Sequence, residues 1–135
     1  MKDLLLRRAC VNTSENIIVI DWRLPANSTY YFQSVANTQV VGRMIACVIN
    51  RLKAGLNLNT DMVYLIGHSL GAHVVGFAGK GVTPRCWQIQ ADDPAGPAYQ
   101  EFDNISSSAQ LQATDAKCVL SIHSNGYKVF PGLEG

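Results

Sequence analysis

One serine of this chain has the surroundings of a nucleophile. Ser69 is the central residue of Gly67-His68-Ser69-Leu70-Gly71, a G-x-S-x-G pattern that directly follows an apolar run at residues 62–66. The run predicts a buried strand, and the residues of 72–78 predict the start of a helix. Ser69 then lies on a sharp strand-to-helix turn, which forces its backbone into a sparsely allowed conformation and exposes its hydroxyl. The alternative interpretation is a tight turn with an incidental serine.

The residues around Ser69 fit such a turn. We expect Gly67 and Gly71 to be positions at which a Cβ atom would collide with neighbouring backbone. The N–H groups and the positive dipole end of the following helix point at the serine, where they suit a developing oxyanion. His68 and His73 flank the turn. Neither can reach around its own backbone to Ser69, so we expect both to pack against the sheet or the helix.

A carboxylate for this serine is predicted at the end of the next strand. A serine hydroxyl is a weak nucleophile until a base takes its proton and a carboxylate orients that base. Asp93 follows a predicted strand at 87–91, at the edge of a parallel sheet where functional sites collect. Asp92 is the competing carboxylate, and the alternative is that both aspartates cap the turn before Pro94.

A histidine base would follow the acid along the chain in this arrangement. His123 is the only histidine beyond Asp93, and it follows another predicted strand, at 118–122. Its position is therefore compatible with the role of the base. The alternative is a histidine that only hydrogen-bonds a nearby loop.

The elements that carry these residues alternate between strand and helix. A β-branched run at 17–20 predicts an interior parallel strand, and residues 1–8 resemble the end of a helix. Helical spacing predicts a long helix from about Tyr30 to Ala54, with Gly55 as its C-cap. Its predicted apolar face consists of Val41, Met44, Ile45, Val48, Ile49 and Leu52. The alternation predicts an α/β fold with a mainly parallel sheet flanked by helices.

Composition narrows the class of protein further. At 135 residues with 47% apolar residues, the chain is one domain, and its net charge of +1 argues against nucleic acid as a partner. No apolar stretch is long enough for a transmembrane segment, and the run at 4–6 is too short for a signal peptide. The four cysteines allow three disulfide pairings. Asn12, Asn27 and Asn104 each begin a glycosylation pattern, which favours the secretory pathway weakly.

Several of these motifs together resemble the animal pancreatic-lipase family, which includes triacylglycerol lipases and insect phospholipases A1. The resemblance covers residues 16–126 and is carried by the stretches 16–22, 66–80, 93–97 and 115–117. It implies a partial α/β-hydrolase fold, truncated at both ends, with 1–135 as the central part of the domain. It also implies that Ser69 is the nucleophile, that Asp93 is the acid, and that the backbone N–H of Leu70 is an oxyanion donor.

The chain also departs from the family pattern. The family's upstream His-Gly-Phe-type loop and its downstream catalytic histidine are not expected within these residues, and His123 matches a non-catalytic family histidine. We therefore expect the chain alone to be inactive. The family's structural calcium lies just before the strand at 118–122. Only Asp115 of that acidic segment is kept, with Gln110 and Gln112 where charge is expected, so we predict no metal.

The resemblance implies a secreted carboxylic ester hydrolase that acts on lipids at a lipid–water interface, in lipid catabolism. The substrate would be a triacylglycerol, a phospholipid or a galactolipid, and no cofactor is expected. An alternative is a non-catalytic lipase-like binding or storage protein, because insect yolk proteins resemble this family. Those proteins lack the serine at the turn, whereas this chain keeps both Ser69 and Asp93.

Overall fold

The computed structural model describes residues 15–96, 99 and 106–124. Within them, α1 spans Arg23–Ala26, α2 spans Tyr31–Leu56 and α3 spans Leu70–Gly81. The strands are β1 (Tyr64–His68), β2 (Gln88–Asp92) and β3 (Cys118–Ile122), and 3-10 turns occupy Thr60–Met62 and Ser107–Ala109. The predicted helix end at 1–8 lies outside the described residues.

The three strands form one parallel sheet in the order β1-β2-β3. Leu65, Ile89 and Val119 stand side by side across it in one row of the register. Parallel strands need long crossover connections, and this chain has them. β1 reaches β2 through α3, and β2 reaches β3 through the segment that contains the second 3-10 turn. The prediction of a parallel α/β sheet flanked by helices is confirmed.

The core lies on one face of this sheet. It is built from buried side chains of α2, α3, β2 and the connecting loops, namely Ala46, Ile49, Val75, Val82, Cys86, Ile89 and Ala116. The opposite face of β1 is open, with Tyr64 57% and Ile66 41% exposed. The prediction of a buried strand here was therefore wrong, because no described element covers that face.

Helix α2 is held by tight backbone contact with α3. A Cβ at Gly42 would lie 2.4 Å from the Cβ of Phe77 and 2.6 Å from the carbonyl oxygen of Val74. The helix continues through Gly55 to Leu56, and Asn57 takes the left-handed capping position with φ 55°. Gly55 as the C-cap was therefore wrong by two residues.

The buried face of α2 is smaller and more polar than its apolar spacing indicates. It consists of Ser34, Thr38, Val41, Gly42, Ala46 and Ile49. Of the predicted apolar face, Val41 and Ile49 are buried, whereas Met44 and Val48 are 63% and 51% exposed. The predicted face and the face that is buried both have helical periodicity. Only the contact with α3 decides which of the two is buried.

The predicted strand at 17–20 is not a strand in the structure. These residues form no regular element, and Ile18, Val19 and Ile20 are 66%, 45% and 46% exposed. A β-branched run becomes a strand only when a neighbour completes its hydrogen-bond ladder, and no described segment pairs with this one. Sequence preference alone was therefore insufficient.

Two further properties concern the cysteines and the character of the helices. Cys47, Cys86 and Cys118 are free thiols in the structure, and Cys10 lies outside the described residues. Burial raises the pKa of the Cys86 thiol. Among the described helices, none has the length and apolar character needed to cross a lipid bilayer.

Candidate active site

Ser69 occupies the turn between β1 and α3 in a strained backbone conformation. Its φ of 55° and ψ of −123° lie outside the regions favoured by residues with a side chain. Such a conformation costs on the order of 1–3 kcal/mol and persists only when the surroundings enforce it. Here the Ser69 N–H donates to the carbonyl of Asp92 at 3.0 Å, which fixes the turn to β2. The predicted strain at Ser69 is confirmed.

The two glycines beside Ser69 have different roles. A Cβ at Gly67 would lie 2.1 Å from the carbonyl oxygen of Gly71, so the first turn of α3 packs directly onto β1. A Cβ at Gly71 would meet no described atom within 4 Å. The expected collision is confirmed for Gly67 and was wrong for Gly71. It is the backbone of Gly71 that fills the space above Gly67.

The first turn of α3 begins directly after Ser69, and its Ala72 N–H donates to the Ser69 carbonyl at 3.0 Å. Leu70 is the first residue of the helix, and the first N–H groups of any helix lack intrahelical acceptors. The Ser69 hydroxyl makes no capping hydrogen bond with this turn. The N–H of Leu70 and the positive end of the helix dipole therefore lie directly beside Ser69.

Asp93 follows β2 directly and lies at the same edge of the sheet as Ser69. Its own backbone has φ 43°, and its N–H donates to the carbonyl of Ile122 at 2.7 Å. The Asp93 carboxylate accepts hydrogen bonds from both the backbone N–H and the hydroxyl of Ser124. Beyond Asp93, the N–H of Ala95 reaches the carbonyl of Ser69 at 3.4 Å. The loop after β2 is thus bonded to the serine turn through Ala95 and to the end of β3 through Asp93.

The neighbouring carboxylate of Asp92 points to a different partner. It accepts a hydrogen bond from the side-chain amide of Gln90, two residues back on the same strand, at 3.0 Å. Asp92 and Asp93 are both half-buried, yet they share none of these donors. The structure therefore separates the two carboxylates that the sequence leaves as competitors.

His73 is buried in α3, and its ring is held by one hydrogen bond and by one stacking contact. One ring nitrogen, Nε2, lies 2.8 Å from the carbonyl of Ala95, and the ring stacks on Tyr99 with centroids 3.4 Å apart. Burial, reinforced by the charge of Lys80, lowers the pKa of His73 to about 4. The imidazole is therefore neutral at physiological pH. Nε2 carries the proton that Ala95 accepts, which occupies this histidine as expected.

The stacked ring of Tyr99 continues this contact toward α2. Its hydroxyl is 2.7 Å from the hydroxyl of Thr38, and burial raises the pKa of Tyr99 to about 12. The chain Ala95–His73–Tyr99–Thr38 therefore connects the loop after Asp93 with both helices. It is a positioning network that sequence spacing did not reveal.

The other two histidines are exposed. His68 ends β1 on the open face of the sheet, so the expectation that it packs was wrong. His123 directly follows β3, and its Nε2 lies 3.2 Å from the hydroxyl of Ser121 in that strand, which agrees with a local hydrogen-bonding role. In the described part of the chain, no hydrogen bond joins either ring to the hydroxyl of Ser69.

At the far end of α3, Lys80 pairs with Asp115 at 2.5 Å. This is the segment for which the resemblance implies calcium. No group of three or more candidate ligands among His, Cys, Asp and Glu occurs within the described residues. One carboxylate, already bonded to an ammonium group, does not fit a cation that takes six to eight oxygen ligands.

Sequence reasoning missed Ser124 as the partner of Asp93 and Lys80 as the partner of Asp115. Ser124 follows β3 at the carboxyl edge of the sheet, where Asp93 also lies, so its position in a parallel fold was the available signal. Lys80 gave no such signal, because its partner Asp115 is 35 residues away across an irregular segment.

This geometry defines a class of protein: an α/β fold with a strained serine turn and a carboxylate at the same edge of the sheet. Comparison with known proteins agrees: the Lipase family model matches residues 2–134. The chain is 37% identical over 120 residues to pancreatic triacylglycerol lipase of Mus musculus, which covers 89% of this chain and 25% of that protein. The chain belongs to the lipase family, whose fold is the α/β-hydrolase fold.

Two further relatives extend the comparison. Phospholipase A1 of Vespula squamosa is 42% identical over 118 residues, covering 81% of this chain and 39% of that protein. Pancreatic lipase-related protein 2 of Rattus norvegicus is 38% identical over 118 residues, covering 87% and 24%. The chain thus spans about a quarter of the length of the pancreatic relatives it matches and a larger share of the phospholipase.

Proposed function

We propose that this chain is the central part of a serine hydrolase that cleaves carboxylic esters of lipids. Ser69 attacks the ester carbonyl, the Leu70 N–H binds the resulting oxyanion, and Asp93 orients the histidine that takes the serine proton. The observation that carries the proposal is the strained backbone of Ser69, with φ 55°, in a turn bonded to the strand that ends beside Asp93. Strain of this kind is costly and clusters at functional sites.

The base in this proposal is none of the three histidines of the chain. His73 is buried with Nε2 directed at Ala95, and the ring of His123, directly after β3, lies within hydrogen-bond distance of the Ser121 hydroxyl. Removing one member of a triad leaves only residual catalysis from binding and the oxyanion donors. The chain alone should therefore hydrolyse p-nitrophenyl butyrate no faster than its Ser69→Ala variant. A robust rate that disappears in both Ser69→Ala and His123→Ala would instead assign His123 as the base.

The nucleophile is tested in the natural protein that carries this sequence, at its full length. A fluorophosphonate probe should label one peptide, the one containing Ser69, and labelling should disappear in Ser69→Ala. Ser106→Ala is the matched control, because the Ser106 hydroxyl lies in an exposed turn 2.8 Å from that of Ser108. Absence of label at Ser69 in a folded protein would favour the non-catalytic binding or storage alternative.

The relatives divide the substrate between two lipid classes. One group is named triacylglycerol lipase and the other phospholipase A1. We propose a lipid ester of either class, presented at a lipid–water interface. Release of fatty acid from emulsified trioleoylglycerol and from phosphatidylcholine vesicles, each compared with the Ser69→Ala variant, separates the two.

We also propose that the protein is secreted. Support comes from Asn27, which begins the pattern Asn27-Ser28-Thr29 and is exposed directly after α1. Expression in a eukaryotic secretory host should yield a protein whose mass falls on treatment with N-glycosidase. The Asn27→Gln variant should show a smaller fall.

A further inference from the structure

The loop between the second 3-10 turn and β3 is organised around a single buried carboxylate. The side chain of Asp115 is only 3% exposed, and its Oδ2 lies 2.5 Å from Nζ of Lys80. The same oxygen accepts the N–H of Gln112 at 2.8 Å, and the same Nζ donates to the carbonyl of Gln110 at 2.7 Å. One ammonium group therefore joins two oxygen atoms that lie five residues apart along the loop.

This arrangement has the form of a cation site with a lysine as the cation. A carboxylate oxygen and a backbone carbonyl are ligands that calcium prefers, but both already face the ammonium of Lys80. The remaining side chains of the segment at the positions expected to be acidic are the neutral Gln110 and Gln112. A divalent ion placed at these oxygens would be repelled by the lysine at close range.

We propose that Lys80 replaces a metal ion in this loop, and that the chain is consequently independent of calcium. Charge excludes a metal ion from this site: one ammonium neutralises one carboxylate, and the pair leaves no net negative charge to attract a second cation.

The Lys80–Asp115 pair connects elements that lead to the candidate active site. Lys80 is in the last turn of α3, the helix that begins beside Ser69. A Cβ at Gly79 would lie 2.4 Å from the Asp115 carbonyl oxygen, so the loop packs directly onto that helix. Two residues after Asp115, the Lys117 N–H donates to the Cys86 carbonyl at 3.0 Å. β3 begins at the next residue. The lysine thus fixes α3 to the strand that delivers Ser124.

The test compares two lysine–carboxylate pairs of similar length and different burial. Lys117 and Asp61 lie 2.6 Å apart but are 43% and 45% exposed. Lys80→Met leaves the buried Asp115 carboxylate without its cation, so Tm should fall by roughly 10 °C or more. Lys117→Met should change Tm by no more than about 2 °C. Lys80→Arg, which keeps the charge, should recover most of the lost Tm.

The metal is tested directly on the unmodified chain. Calcium chloride at millimolar concentration and EDTA should each leave its Tm unchanged, and titration calorimetry should show no calcium binding. A calcium-dependent rise in Tm that disappears in Asp115→Asn would overturn the proposal, as would equal losses of Tm in Lys80→Met and Lys117→Met. These readouts do not use ester hydrolysis, so they remain independent of the proposed function.

A second variant covers the case in which Lys80→Met does not fold. Replacing both partners, as Lys80→Met with Asp115→Leu, removes the unpaired charge together with the lysine. Return of a cooperative unfolding transition in this double variant supports the proposal, because the loss then came from the isolated carboxylate. Failure of the double variant to recover that transition overturns it.

Discussion

The two ends of α3 hold their chemically important groups in opposite ways. At the N-terminal end, Ser69 is held by its backbone, with φ 55° and an N–H bonded to Asp92, and its hydroxyl does not cap the helix. At the C-terminal end, Lys80 is held by its side chain, through hydrogen bonds to Gln110 and Asp115. One end leaves the serine hydroxyl without a capping hydrogen bond, and the other neutralises a buried charge.

The difference shows how one rigid helix serves two purposes. The nucleophile that we propose at Ser69 needs a fixed position without strong hydrogen bonds to its hydroxyl, and a strained backbone is compatible with that need. A buried carboxylate is costly unless a cation and further donors accompany it. Variants that change the backbone at one end should therefore act through packing, whereas variants at the other end act through charge.

The largest effect is expected for Gly67→Ala. The added Cβ would lie 2.1 Å from the carbonyl oxygen of Gly71, which belongs to the first turn of α3 and cannot move without displacing the helix. We expect a loss of at least about 3 kcal/mol in the free energy of unfolding, measured by urea titration.

Gly71→Ala is the matched control for the serine turn. The same methyl group added there meets no described atom within 4 Å, and alanine is favoured over glycine in a helix by about 1 kcal/mol. The free energy of unfolding should stay constant or rise. Equal destabilisation by the two variants would show that the strand–helix contact is not specific to Gly67.

The next effect concerns the pH dependence contributed by His73. Its pKa is about 4 in the folded chain against 6.5 as the reference, with burial as the first cause. Because the pKa is lower in the folded state, the unfolded chain binds more protons below pH 6.5. Stability is therefore complete above about pH 6.5 and is lost as pH falls toward 4. Between pH 7 and pH 5 the loss should be about 2 kcal/mol.

The variant His73→Gln isolates this contribution. Glutamine offers an N–H to the Ala95 carbonyl but cannot titrate, so the free energy of unfolding should depend less on pH between 5 and 7. His123→Gln is the control, because that ring is exposed. Identical pH profiles for the unmodified chain and His73→Gln would contradict a buried neutral imidazole.

A smaller effect is expected at the Asp93 carboxylate. Ser124→Ala removes the hydroxyl donor and leaves the backbone N–H donor in place. Because the bond is exposed, we expect a loss of about 1 kcal/mol in the free energy of unfolding. Ser121→Ala, which removes a hydroxyl bonded only to the neighbouring His123 ring, should cost less. A larger loss for Ser121→Ala would argue against Ser124 as the positioning residue.

Much of the fold was predictable where the signal is local. β3 was predicted at 118–122 and is found there, and β2 is displaced by one residue from the predicted 87–91. The turn at Ser69 was predictable because glycine spacing, strand and helix agree within a dozen residues. The segment 17–20 failed because a strand depends on a neighbour that its own residues do not specify.

The candidate site divides in the same way. Ser69 and Asp93 were identifiable from their motif and from the end of a strand, and their roles remain predictions. The partners that position them, such as Ser124 and Tyr99, depend on contacts between distant segments. The side chain of Lys80 illustrates the limit: nothing in a helix that ends Gly79-Lys80-Gly81 indicates an aspartate 35 residues later.

The smallest effect is the most specific test of the strained serine. Glycine adopts positive φ without steric penalty, whereas alanine retains the conflict between its Cβ and the backbone. Ser69→Gly should therefore be more stable than Ser69→Ala by between about 0.5 and 1 kcal/mol in the free energy of unfolding. Both variants lack the hydroxyl, so their difference reports on the backbone alone.

A matched pair at an unstrained helical position completes the experiment. At Ser34, which lies within α2, the order should reverse, with glycine less stable than alanine by about 1 kcal/mol. If glycine were also less stable than alanine at position 69, the serine turn would carry no stored strain. The contrast between the two ends of α3 would then reduce to a difference in side-chain partners, because nothing in the backbone would distinguish Ser69.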